Sequence, residues 1–269
     1  MIKNHSLFFL SFCFVVVTCV DWAGADATSP QLPPKAKFHL FLLAGQSNMA
    51  GRGKIAKEDT VPHPRVFTLN KENQWVPAVD PIHFDKPVAG VGIGRTFGKT
   101  IADRDPSIVI GLIPCAVGGS PIASWEPGGK HAQTKSHPYD DAVKRTKIAM
   151  QKGTLKGILW HQGESDSRPK LATAYKQKLH ALIDRFRTEF NTPELPFIAG
   201  QMGRFPDTPW DRERESVNFI HKSLPPKVKF TAFVPSTNLR HKGDRVHFDA
   251  KSLREFGKRY AKAYLTFGK

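Results

Sequence analysis

The stretch Phe38-His39-Leu40-Phe41-Leu42-Leu43-Ala44-Gly45-Gln46-Ser47-Asn48-Met49-Ala50-Gly51 decides the fold of this 269-residue chain. An apolar run with prolines upstream stops at a glycine, and a serine follows two residues later. A short apolar run bounded by turn signals reads as a buried strand. A strand that ends in a tight turn puts the next hydroxyl at the carboxyl edge of a sheet, on a rigid backbone. Ser47 then has two readings. It is a helix N-cap, where a serine oxygen satisfies an orphan backbone N–H, or it is a nucleophile. The stretch alone does not separate them.

Outward from it, strand-like and helix-like segments alternate. Strands are expected at 38–44, 107–113, 155–160, 197–200 and 228–234. Helices are expected at 94–104, 139–151, 172–190, 212–222 and 250–267. The helix at 172–190 is the clearest, with Tyr175, Leu179, Leu182, Ile183 and Phe186 in one stripe. Residues 51–87 read as a long irregular connection punctuated by Pro62, Pro64, Pro77 and Pro81; such loops are functional or carry short hairpins. Residues 114–135 form a second long loop. The alternation points to an α/β sandwich around a mostly parallel sheet. Ligands of such folds bind beyond the carboxyl ends of the strands.

Residues 1–27 read as a secretory signal peptide. Lys3 precedes an apolar core from Leu7 to Val20, and small-x-small cleavage sites follow at Ala23-Gly24-Ala25 and Ala25-Asp26-Ala27. A secreted or periplasmic location is expected, with no stable membrane insertion. Val17-Thr18-Cys19 fits a lipoprotein cleavage box poorly, because Thr precedes the Cys, so lipid anchoring is the weaker alternative. Residues 28–37 read as a disordered Ser/Pro-rich leader, and 38–269 as a single domain. Of three cysteines only Cys115 lies beyond the signal. It follows an apolar run and reads as a buried small hydrophobe. The chain carries 40 Lys+Arg against 24 Asp+Glu, which suggests acidic partners or, more plainly, a basic solvated surface. The charges are spread out, with no aromatic-interleaved basic motif of a nucleic-acid binder.

Acyl transfer by serine needs a nucleophile, a base, a group that orients the base, and donors for the oxyanion. Ser47 is the candidate nucleophile, although Met49 stands where a Gly-x-Ser-x-Gly elbow has its second glycine. His247 is the candidate base. Asp244, three residues earlier, can fold back onto its Nδ1 within one turn. That Asp-x-x-His spacing is also met in ordinary surface turns. Gly118-Gly119 follows the second strand, where a bare N–H can approach a bound oxygen. Gln162 follows the third strand and offers a side-chain amide.

Four blocks carry a resemblance: Gly45-Gln46-Ser47-Asn48-Met49, Cys115-Ala116-Val117-Gly118-Gly119-Ser120, Trp160-His161-Gln162-Gly163-Glu164-Ser165-Asp166, and Asp244-x-x-His247. In this order they resemble the SGNH-type hydrolases, and more closely the sialate O-acetylesterase-like domain that includes the acetylxylan esterases of carbohydrate esterase family 6. The resemblance implies a flavodoxin-like three-layer sandwich with a five-stranded, mostly parallel sheet. It implies removal of O-acetyl groups from carbohydrate, of acetylated-xylan or sialate type, without metal or cofactor. Ser47, His247 and Asp244 match the catalytic set. The backbone of Ser47, Gly119 or Gly118 and the side chain of Gln162 match the oxyanion hole. Glu164 matches a residue that is structural, tethers the loop, or shares the work of Asp244. Two other classes stay open: a short-chain acyl esterase or lipase without sugar specificity, and a silent carbohydrate-binding protein of this fold.

His161, beside Gln162, and the loop tryptophans Trp125 and Trp75 are candidates to line a sugar site, with loop-core packing as the alternative for the tryptophans. Gly90-Val91-Gly92-Ile93-Gly94 lacks the preceding strand and spacing of a nucleotide loop. It reads as the lead-in to a helix at the edge of the site. The remaining histidines have no metal-ligand spacing.

Overall fold

The computed structural model describes residues 1–2 and 31–267. The signal-peptide reading falls mostly on residues outside these. Of the leader, residues 31–37 are described. Lys35–Lys37 is a 3₁₀ turn, Lys37 N–H donates to Pro34 O, and Leu32 packs on the core. The expectation of disorder therefore does not hold there. The segment is pinned where Thr154 Oγ1 donates to Lys35 O at 3.2 Å.

The first strand, β1 (Phe38–Gly45), lies at the centre of the sheet and runs into a single helical turn, α1 (Ser47–Ala50). Next come β2 (Val66–Leu69), β3 (Trp75–Pro77), α2 (Ile93–Arg104), β4 (Val109–Pro114), α3 (Pro138–Met150), β5 (Thr154–His161), α4 (Pro169–Glu189), β6 (Phe197–Gly200), α5 (Arg212–Lys222), β7 (Thr231–Val234) and α6 (Ala250–Tyr264). The sheet order is β3-β2-β4-β1-β5-β6-β7, with only β3 antiparallel. The five expected strands are present, in the doubly wound order 2-1-3-4-5 when numbered among themselves. The sheet has seven strands rather than five because the stretch taken as irregular contains a hairpin, β2–β3, added outside β4. Its strands are short and bounded by prolines and the Asn70–Asn73 turn, which hides their alternation. β7 starts three residues later than expected. Phe230, at φ 56°, leaves the extended region and breaks the strand there.

Successive side chains of β1 enter opposite cores. Leu40, Leu42 and Ala44 pack with residues of α3, α4 and α5 on one face; Phe41 and Leu43 pack with α2 and α6 on the other. All five are fully buried, which is why the stretch reads as a continuous apolar run rather than an alternating one. Cys115 is buried too, and burial pushes its thiol up to about 11, so it behaves as an inert hydrophobe. Among the described residues no helix is long and apolar enough to cross a membrane. The strand order reverses at β1, so the crevice beyond its carboxyl end is where such a fold places a ligand. Ser47 stands there.

Candidate active site

The turn after β1 is tight because Gly45 lies against the backbone of His161 on β5, where a Cβ would collide with the carbonyl. Gln46 N–H donates to His161 O at 2.8 Å, and the chain turns into α1. Ser47 is the first residue of that turn, so its N–H has no intrahelical acceptor. The N-cap reading of Ser47 does not hold: Gln46 occupies the cap position, and no side chain caps the turn.

His247 arrives from the loop between β7 and α6. Its Nε2 lies 3.0 Å from Ser47 Oγ, and its Nδ1 lies 2.7 Å from Asp244 Oδ2. Asp244 Oδ1 accepts the backbone N–H of His247 at 2.8 Å and of Val246 at 3.0 Å. Partial burial would push the Asp244 carboxyl up. The His247 N–H, the imidazole and the Val246 N–H outweigh it and bring it down to about 2. An ionised Asp244 holds the Nδ1 proton, which leaves Nε2 to accept from the Ser47 hydroxyl.

The two glycines of the loop after β4 differ in their hydrogen bonding. Gly118 N–H donates to Asp85 Oδ2 at 2.8 Å and is committed. Gly119, at φ 84°, lines the cleft, and its N–H has no hydrogen-bond partner among the described residues. Asp85 is itself paired with Arg52 at 2.7 Å, with both side chains shielded from solvent. Neither residue was anticipated from sequence; their positions carry no spacing that announces a pairing.

Gln162 does not fulfil its expectation. It is fully buried; its Nε2 donates to Asp166 Oδ2 and to Ser120 O, and its Oε1 accepts from Tyr175 at 2.8 Å. Every polar atom of the amide is used beneath the cleft. His161 is also fully buried, packed edge-on against Phe248 and Phe256 with Nδ1 3.3 Å from Tyr260 OH. Trp125 is fully buried, its Nε1 donating to Ser120 Oγ, and Trp75 packs on Phe38. None of these three lines the cleft: the two indoles pack in the core, and the His161 imidazole lies beneath the cleft with Nε2 3.7 Å from Glu164 Oε1. Glu164 does line it, but it meets Asn48 rather than His247. Asn48 Nδ2 donates to Glu164 Oε1 at 2.8 Å and to Val246 O at 3.2 Å, while its Oδ1 accepts Phe248 N–H at 3.1 Å. The residue after Ser47 thus ties α1 to the His247 loop on both sides of the imidazole. Gly92 caps α2 and lies against α1 and Gly51, as the lead-in reading expected.

The cleft has a volume of about 950 Å³ and is open to solvent along Ser47 and His247. Lys86, Arg168 and Arg214 line it, and none is paired with a carboxylate among the described residues.

A serine at the switch point of a doubly wound sheet faces an Asp-x-x-His loop before the last helix, the arrangement that the sequence resemblance to the SGNH-type hydrolases implied. A family model described as "Carbohydrate esterase, sialic acid-specific acetylesterase" matches residues 37–266, and the chain belongs to that family of carboxylic ester hydrolases. It is 33% identical to the probable carbohydrate esterase At4g34215 of Arabidopsis thaliana over 260 residues, covering 87% of this chain and 92% of that protein. The solved structure of the Arabidopsis protein superposes with a TM-score of 0.76, covering 87% of this chain and 99% of the other at 32% identity. NanS (17% identical, TM-score 0.68, 88% and 99% covered) and the Xanthomonas citri carbohydrate acetylesterase XAC1771 (19%, 0.67, 86% and 57% covered) share the fold.

Proposed function

We propose that this chain removes O-acetyl groups from acidic carbohydrate through an acetyl-Ser47 intermediate. The observation that carries the reading is the hydrogen-bonded line from Asp244 through His247 to Ser47, opening into a cleft with three unpaired cations. Ser47 Oγ attacks the acetyl carbonyl as His247 Nε2 takes its proton. The oxyanion forms against the N–H groups of Ser47 and Gly119, each worth roughly 3 kcal/mol of barrier. His247 then returns the proton to the departing sugar oxygen, leaving acetate esterified to Ser47. A water, activated by the same imidazole, releases acetate and restores the serine. Gln162 supports this by holding Ser120 and Asp166 in place rather than by touching the oxyanion.

Lys86, Arg168 and Arg214 favour a sugar that carries a carboxylate, since unpaired cations in a cleft attract anionic substrates. The test is acetate release from O-acetylated sialic acid, acetylated glucuronoxylan and neutral acetylated xylo-oligosaccharide, with p-nitrophenyl acetate as reference. The acidic substrates should be cleaved with the lower KM, and that advantage should shrink as salt is added. A KM indifferent to both sugar charge and salt would remove the acidic specificity. A protein that cleaves p-nitrophenyl acetate but no acetylated sugar would remove the carbohydrate reading.

A further inference from the structure

The loop that carries Asp244 and His247 is held by a second histidine–aspartate pair. His241 Nε2 lies 3.0 Å from Asp207 Oδ2. Its Nδ1 accepts the backbone N–H of Gly243 at 2.9 Å and of Arg245 at 3.3 Å. Gly243 and Arg245 flank Asp244, and both sit at positive φ, 114° and 61°. One imidazole lone pair therefore holds the backbone on either side of the carboxylate that orients His247. A nitrogen that accepts from two N–H groups carries no proton, so the ring proton is on Nε2, where Asp207 receives it. The ring also stands edge-on to Phe205, which meets Phe248, the neighbour of His247. Around His241 the charged groups are Asp207 and, bridging to it, Arg245; the Lys242–Asp244 pair and Arg240 on its own loop; and Arg204, paired with Glu215.

We propose that His241, with Asp207 fixing its tautomer, is a positioning residue that sets the backbone of the Asp244–His247 turn. The inference rests on the esterase reading of Ser47 above. Protonating Nδ1 removes the acceptor for both N–H groups, so the lock exists only while His241 is neutral. His241→Ala should lower kcat about tenfold to a hundredfold with KM changed less than about threefold, as expected when a reacting group is displaced by less than an ångström or so. His241→Asn keeps an oxygen able to accept from Gly243 N–H, as an Asx turn does, and should recover most of that loss. Thermal unfolding of each variant at neutral pH separates loss of fold from loss of position. Full kcat in His241→Ala, or equal losses in the Ala and Asn variants, would each overturn the assignment. Because p-nitrophenyl acetate serves as substrate, these outcomes are independent of which sugar the enzyme takes. Only a fully active Ser47→Ala variant would remove the esterase mechanism beneath them.

Discussion

Asp85 meets Arg52 at 2.7 Å where both side chains are 4% exposed or less, and it also receives the N–H of Gly118. Removing one partner of a buried ion pair leaves the other charge without solvent, which costs about 3–5 kcal/mol. Asp85→Ala should lose stability of that size in denaturant unfolding, and the freed Gly118–Gly119 loop should lower kcat as well. A change under about 1 kcal/mol would show that the pair does not hold the loop. Ser47, Asp244 and His247 were legible as candidates because their chemistry shows in type and spacing: a serine at a strand end, an Asp-x-x-His in one turn. Asp85, Asn48 and His241 were not, because each acts on backbone groups or on residues far away in the chain. Gln162 shows the complementary failure. A polar residue after a buried strand announces a partner but not its direction, and here the partners are Asp166, Ser120 and Tyr175 below the cleft.

Among the elements, α2 and α6 close one face of the sheet and meet at Gly257. A Cβ there would lie 2.6 Å from Ile93 O and 2.9 Å from Thr96 Cβ. The two helices are thus in near-backbone contact, and α6 begins just after the His247 loop, with Asp249 as its N-cap. Gly257→Ala should push them apart and destabilise the protein by about 1–3 kcal/mol, the usual cost of overpacking; an unchanged urea midpoint would show that the contact can open freely. The helices and the five strands β4, β1, β5, β6 and β7 were readable because their apolar residues stand out from the flanking turns. The β2–β3 hairpin was not. Strands of four and three residues give too little alternation to stand out among prolines, and pairing with β4 supplies what local sequence lacks.

For the molecule as a whole, stability should carry a pH signature from Asp80. Burial pushes this carboxyl up to about 7; Arg95 pulls against the shift and Asp59 adds to it, and Oδ1 has no hydrogen-bond partner. Between its ordinary range near 4 and about 7, the folded state keeps a proton that the unfolded state releases, so this group's contribution falls as pH rises through that window. Asp80→Asn should melt close to wild type near pH 4 and above it at pH 8, by up to about 4 kcal/mol; a variant less stable than wild type at pH 8 would reverse the sign. The larger architecture brings residues 200 positions apart to 3.0 Å at one sheet edge, and the central claim is that this contact is the chemistry. Its most direct measurement is mass spectrometry of the protein quenched during turnover of an O-acetylated acidic sugar, beside Ser47→Ala. The account predicts one acetyl group on Ser47 in wild type, and in the variant no adduct and acetate release lower by at least about 10⁴-fold. Acetate released at the wild-type rate by Ser47→Ala, or an acetyl group found on another residue, would contradict it.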